Sequence, residues 1–316
     1  MNRLQQNILR SAGCAALAIG AAGAPIAARA DSFAQSILVI DNFRLLHANG
    51  TIYSAAEFPQ LAGAGTAFAS GQLDGVYSGA FQASDLAGGL SLDVAQQNAG
   101  AGLSTRPEND VTPIAGAVPQ ASYGYGDQRI TGGLITTPTA AGAPFQSSTR
   151  ADASQDADGS ASGAGGVAMS TAFSFSLGTG EYMTIAFDAT PFTRAVAGVG
   201  GDAQARLAWS VTVLDVSTGA TVFTFQPEQL NALSQVGSSN GFGGVIYDPG
   251  RLSFAATLGM LDAGDIYQVT FAQTSFASAH QAGQVAEPAT LAAFGAGLLA
   301  LAALARRRRN GRLGNS

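Results

Sequence analysis

Side chains able to carry chemistry are scarce in this chain. Its 316 residues include two histidines, His47 and His280, and one cysteine, Cys14. An ordinary transition-metal site draws on several nitrogen or sulfur ligands, so that supply is almost exhausted at the outset. His47 lies close in sequence to Asp41 and with a serine would complete a triad, but no Gly-x-Ser-x-Gly elbow accompanies it. Glu181, Asp188 and Asp215 are the acids expected at strand ends, the usual place for solvated carboxylates. Paired carboxylates for glycoside cleavage need rigid placement in a cleft instead. Ser154-Gln155-Asp156-Ala157-Asp158-Gly159 partly matches a calcium loop, in which alternating oxygens precede a glycine. Its first position is Ser, however, and its twelfth is Gly165 where a bidentate Glu belongs. Asp152, Asp156 and Asp158 are therefore weak calcium candidates. Trp209, Tyr182 and Tyr267 are candidates for a sugar-stacking platform. The phase of Trp209 and Tyr267 matches their aliphatic neighbours and places them in a core, whereas Tyr182 points the other way. No catalytic residue and no cofactor is expected from this set.

The elements that must hold these residues are strands. From Val167 to Ala279, apolar and polar residues alternate with period two: Phe173, Phe175 and Leu177; Met183, Ile185 and Phe187; Leu207, Trp209, Val211 and Val213. Phe223 and Phe225 follow, then Leu252, Phe254 and Leu258, then Tyr267, Val269 and Phe271. Gly, Asp and Pro separate the runs, a pattern that marks an antiparallel sandwich. Residues 167–280 are thus expected to form a β-sandwich, with one short helical turn over Pro227–Leu233. Residues 31–142 form a weaker β-rich region. Strands are expected at Ile37–Ile40 (continuing past a bulge to Leu46), at Gln72–Tyr77, at Leu90–Val94 and around Leu134-Ile135. This region either donates strands to the same sandwich or folds alone. Between the two, residues 143–166 are expected to be a flexible linker, because Ala151–Gly166 has no large apolar residue to bury. The expected fold class is all-β, an antiparallel, jelly-roll-like sandwich.

Charge narrows the partners. All 15 basic residues are arginine, and eight of them lie in the two ends. Seven remain between residues 31 and 286 against 20 acids, a net charge near −13. Such a body repels phosphate backbones and anionic membrane surfaces, which argues against a nucleic-acid partner.

The ends carry addresses. Residues 1–30 read as a signal peptide: Arg3 and Arg10, an apolar run from Ala12 to Ala27, then Ala28 and Ala30 as the small residues before a cut at Asp31. Cys14 falls in this leader, so the mature chain would hold no cysteine and no disulfide. Near the other end, Val285-Ala286-Glu287-Pro288-Ala289-Thr290 precedes an apolar stretch. Residues 289–305, 17 in number, would span about 25 Å as a transmembrane helix. Arg306, Arg307, Arg308 and Arg309 would stay cytoplasmic as its anchor. Pro288 disfavours helix at Glu287 and keeps the motif extended and accessible.

The segment 285–309 resembles the PEP-CTERM sorting signal of Gram-negative bacteria that make exopolysaccharide, with Ala286 in place of the first proline. The resemblance covers only this tail. It implies recognition by an exosortase, which removes the tail near the motif after signal peptidase has removed the leader. The expected protein is an exported, non-enzymatic structural component of the cell surface or exopolysaccharide matrix, briefly anchored in the inner membrane. A carbohydrate- or calcium-binding matrix module and a secreted hydrolase are the alternatives.

Overall fold

A computed structural model describes residues 31–54, 57–58, 60–85, 91–100, 106–132, 145–174, 180–239 and 241–282. Ala30–Gly283 form one compact unit; the other, Met1–Arg29 with Gln284–Ser316, lies outside the described residues.

The fold is all-β, with no α-helix among the described residues. Fourteen strands follow in order: β1 (Ser32–His47), β2 (Gln60–Leu73), β3 (Val76–Asp85), β4 (Ser91–Gly100), β5 (Tyr123–Thr131), β6 (Phe145–Gln155), β7 (Gly159–Ser174), β8 (Glu181–Ala197), β9 (Gly201–Asp215), β10 (Ala220–Phe225), β11 (Leu233–Ser238), β12 (Gly243–Tyr247), β13 (Leu252–Leu261) and β14 (Ile266–Gln281). A 3-10 turn, Glu228–Leu230, falls where a short helical turn is expected. The first sheet runs β12-β8-β1-β6-β5-β4, with β13 also on β8. The second runs β10-β9-β14-β7-β2-β3, with β11 also on β9. Neighbouring strands are antiparallel throughout, and the sheets face each other as a sandwich.

Residues 31–142 thus contribute strands to both sheets of one sandwich. The expected linker 143–166 is the larger correction. Phe145–Gln155 is strand β6 in the first sheet and Gly159–Ser174 is strand β7 in the second, joined by a short arc at Asp156–Asp158. The expected strand Gln72–Tyr77 is likewise broken. Asp74 and Gly75 have φ of 48° and 84°, the left-handed pair of a two-residue hairpin turn joining β2 to β3. Leu134 and Ile135 lie outside the described residues. The bulge expected after Ile40 is present, with Asn42 at φ 55°.

Three kinds of packing fill the space between the sheets. At one end Phe43, Phe145, Phe187, Trp209 and Phe271 interlock, with Phe187 and Trp209 centroids 4.5 Å apart and Phe145 and Phe271 5.1 Å apart. A polar belt follows. Ser147 Oγ donates to Gln273 Oε1 at 2.6 Å, Gln273 Nε2 donates to the Leu38 carbonyl at 2.8 Å, and the Thr149 and Ser275 hydroxyls meet at 2.8 Å. At the far end the core is almost all alanine: Ala34, Ala151, Ala153 and Ala195 face Ala161, Ala203, Ala205, Ala277 and Ala279.

Glycine completes this small-residue end. A Cβ built on Gly163 would collide with the Tyr125 and Asp152 carbonyls of the facing sheet, and one on Gly126 with the Ala164 and Ser70 carbonyls. Cα atoms of β5 come within 8 Å of those of β7 and β2 across the sandwich, inside the roughly 10 Å of a layer filled by ordinary side chains. The absence of large apolar residues in Ala151–Gly166 is what permits this approach.

Candidate functional site

Part of the first sheet's outer face, over β1, β5, β6 and part of β8, is covered by the chain itself. Residues 106–122 lie across it as a strap, held by side chains that rise from the strands. Arg150 donates Nη1 to the carbonyls of Asp110 and Thr112 at 2.9 and 2.7 Å, and Arg194 donates to those of Ile114 and Gly116 at 2.9 and 2.8 Å. Gln35 Oε1 accepts from the Ile114 amide at 2.9 Å. Under the strap, Arg150 and Asp152 pair at 2.6 Å with no exposure of either side chain, and Gln35 Nε2 donates to Asp152 at 2.9 Å. Such a pair holds only when its remaining hydrogen-bonding capacity is filled, as it is here. Burial raises the Asp127 carboxyl above its ordinary range, partly offset by donation from the Asn109 amide and the Tyr125 hydroxyl.

This placement separates the three calcium candidates. Asp152 is committed to Arg150 and Gln35, Asp156 accepts from the Ser122 hydroxyl, and Asp158 sits in the arc between β6 and β7. Among the described residues no three His, Cys, Asp or Glu side chains gather as a metal-ion cluster.

His47 has different company from that expected. Its Nδ1 lies 2.8 Å from Glu181 and its Nε2 lies 2.9 Å from Glu57. Its ring stacks on Tyr53 at 3.6 Å between centroids. Burial, and then the bond to Glu181, raise the Tyr53 hydroxyl well above its ordinary value. An imidazole engaged at both nitrogens by carboxylates can donate both bonds only as the cation, and it has no nitrogen left to activate a serine. The cluster instead ties the end of β1, the loop after it and the start of β8. Asp41 does not join it. His280 lies in strand β14 and meets exposed Asp202 at 3.3 Å.

Glu181 begins β8 and Asp215 ends β9, where Asp215 accepts from the Ser217 and Thr218 amides. Asp188 corrects the expectation of a strand end, since β8 runs through it to Ala197. It accepts from Asn42, Ser253 and Arg251, which hold its carboxyl well below the ordinary range.

Trp209 and Tyr267 are buried, and Tyr182 is half-exposed on the first sheet. Sequence reading missed the aromatic residues exposed on the second sheet's outer face. Tyr77 and Phe81 on β3 are each 68% exposed, and Phe68 on β2 is 36% exposed. Phe81 pairs directly with Phe68, and Tyr77 with Gln72. The Asp74-Gly75 dipeptide would have placed them, because it fixes the hairpin register from which their common face follows.

No protein-family model, curated protein or solved structure matches this chain.

The chain's two junctions nevertheless have a definite place in the fold. The expected signal cleavage residues Ala28 and Ala30 lie outside the described residues, while Asp31 stands one position before β1 and its carbonyl accepts from the Gly198 amide at 3.0 Å. Sorting-motif residues Val285, Ala286, Glu287, Pro288, Ala289 and Thr290 and anchor residues Arg306 to Arg309 also lie outside, beginning four residues after β14 ends at Gln281. Ser32 Oγ donates to Gln281 Oε1 at 3.1 Å, so β1 starts where β14 finishes. No helix of the described residues is long and apolar enough to cross a membrane.

Proposed function

We propose that this chain is an exported, non-catalytic structural protein of the bacterial surface or exopolysaccharide matrix, carried there by a removable leader and a PEP-CTERM-like tail. The observation that carries the reading is the fit between signals and fold. One sandwich fills the stretch between two sorting segments, and its first and last strands meet at one pole. Both expected cuts, before Asp31 and near Glu287-Pro288, leave every described strand whole. In this reading signal peptidase acts first. The 289–305 helix then holds the body outside the inner membrane, with Arg306 to Arg309 cytoplasmic, until an exosortase releases it. The body itself is a jelly-roll-like sandwich. An acidic, cysteine-free surface suits release into an anionic envelope, and the doubly engaged His47 favours a structural reading over a hydrolase.

Mass spectrometry of the protein in the host's surface and medium fractions, with and without the exosortase, tests this. The expected product starts at Asp31 and ends near Glu287; without the enzyme it keeps the arginine run and stays with the inner membrane. An intact arginine run on surface-released protein would overturn the proposal.

A further inference from the structure

We propose that the corner of the second sheet formed by β3, β2 and β7 is a stacking platform for a neutral polysaccharide. The decisive feature is how its rings lie. A Cβ built on Gly79 would collide with the hydroxyl end of Tyr77, and one on Gly166 with an edge of the Phe68 ring. Each ring therefore leans over a glycine along the sheet and remains open to solvent, Tyr77 68% and Phe68 36% exposed. A side chain at either glycine would prop the ring upright. Gly166 pairs with Phe68 across the β2–β7 ladder and Gly79 faces Ser70 across β2–β3, so both glycines are set by register on the outer face. Strand spacing and rise place the two rings about 12 Å apart, the reach of a short oligosaccharide.

The surroundings select the ligand class. Ser70 and Gln72 on β2, Ser162 on β7, and Thr274 and Ser278 on β14 share this outer face in neighbouring register. They supply hydroxyl and amide groups beside the rings. Strands β2 and β7 contain no charged residue, and β3 contains only Asp85 at its end. Of the body's 20 acids this corner carries only Asp74, in the turn between β2 and β3, and Asp85. Strands β2, β3 and β7 offer an anionic glycan no cation, Arg206 lying two strands beyond β7, opposite Phe276 of β14. A neutral glycan can lay the partly positive C–H faces of its pyranose rings on the π faces and bond its hydroxyls to the flanking groups. A second copy of the chain is disfavoured because each copy carries the same net negative charge. The first sheet's outer face, by contrast, is covered by the strap over β1, β5, β6 and part of β8.

The platform deepens the matrix-protein reading and rests on it only for the glycan's source, an exopolysaccharide. The test uses the full chain in detergent, so that export plays no part. Affinity electrophoresis and calorimetry against cellulose, laminarin, dextran and galactomannan, with alginate as the anionic control, should show binding to at least one neutral polymer. That binding should survive high salt. Tyr77→Ala with Phe68→Ala, and separately Gly79→Val, should weaken it by about tenfold or more, while Tyr182→Ala on the first sheet leaves it unchanged. Circular dichroism identifies any variant that fails to fold, and Tyr77→Phe, which keeps the ring, should retain binding. Failure to bind any of the four neutral polymers would overturn the proposal. So would binding indifferent to Tyr77 and Phe68, or binding to alginate alone. Dimerisation abolished by the same substitutions would assign the face to a second copy instead. Glycan binding by a chain that the host never exports would remove the export reading and leave the platform standing.

Discussion

The two ends of the sandwich are built on opposite principles. Around Phe187, Trp209 and Phe271 the sheets are held apart by large rings that contribute buried area. Around Ala34, Ala153, Gly163 and Ala277 they are held close by having almost nothing between them. At the first end stability comes mainly from apolar surface removed from water, about 25 cal/mol per Å². At the second it comes from dense contact between backbones and methyl groups, where each atom pair contributes little and many are needed. The belt of Ser147, Thr149, Gln273 and Ser275 sits between them, its hydrogen bonds satisfied from both sheets. A low-complexity segment can therefore be core when its facing partner is equally small.

The difference predicts opposite mutational sensitivities. The largest effect should come from Gly163→Val. Overpacking against movable side chains costs about 1–3 kcal/mol, and here the obstacle is the backbone of the facing sheet, so a loss above about 4 kcal/mol is expected on the same scale. Urea unfolding of the purified chain, or failure to recover folded protein, checks this. A variant within about 0.5 kcal/mol of the parent, the margin of surface changes, would mean that the two sheets are not in close contact. Next comes truncation. Phe187→Ala should cost about 3–5 kcal/mol, while Ala205→Gly should cost about 0.5–1 kcal/mol. Equal losses would erase the distinction between the ends.

A smaller effect lies outside both cores and is read against pH. The Asp188 carboxyl is lowered by Asn42, Ser253 and Arg251. A carboxylate whose folded pKa is depressed contributes stability above its unfolded value of about 3.9, and that stability is lost as pH falls through the folded value. Asp188→Asn should therefore lower the melting temperature at neutral pH, with the gap to the parent closing as the solution is acidified. Asp127, raised by burial under the strap, carries the opposite sign: its contribution is full at low pH and declines as pH rises through its folded value. A gap for Asp188→Asn that widens in acid would contradict its assigned partners.

The strands of the large-residue end were legible in the sequence because alternation of big apolar and polar residues directly encodes one buried face. Met183, Ile185 and Phe187, and Leu207, Trp209 and Val211, fall on that face as expected. The same logic failed for Ala151–Gly166. Its alternation is between small and smaller residues, and its meaning depends on the facing strand, which no local window contains. In β5, Tyr123, Tyr125 and Asp127 alternate with Gly124 and Gly126, yet here the small residues face inward and the large ones lie under the strap. The Glu57–His47–Glu181 cluster was illegible for a related reason, since Glu181 reaches His47 only through the β1–β8 register. The exposed rings of Tyr77 and Phe68 hid behind a hairpin whose turn signal was present in the sequence.

The most direct test of this architecture is amide hydrogen exchange across residues 145–174. If the Ala-, Gly- and Ser-rich segment is paired strand in a tight interior, amides of Ala151–Gln155 and Ser160–Val167 should exchange as slowly as those of β8 and β9. The turn at Asp156–Asp158 alone should be fast. Exchange throughout residues 151–166 at the rate of an unstructured chain would contradict the account.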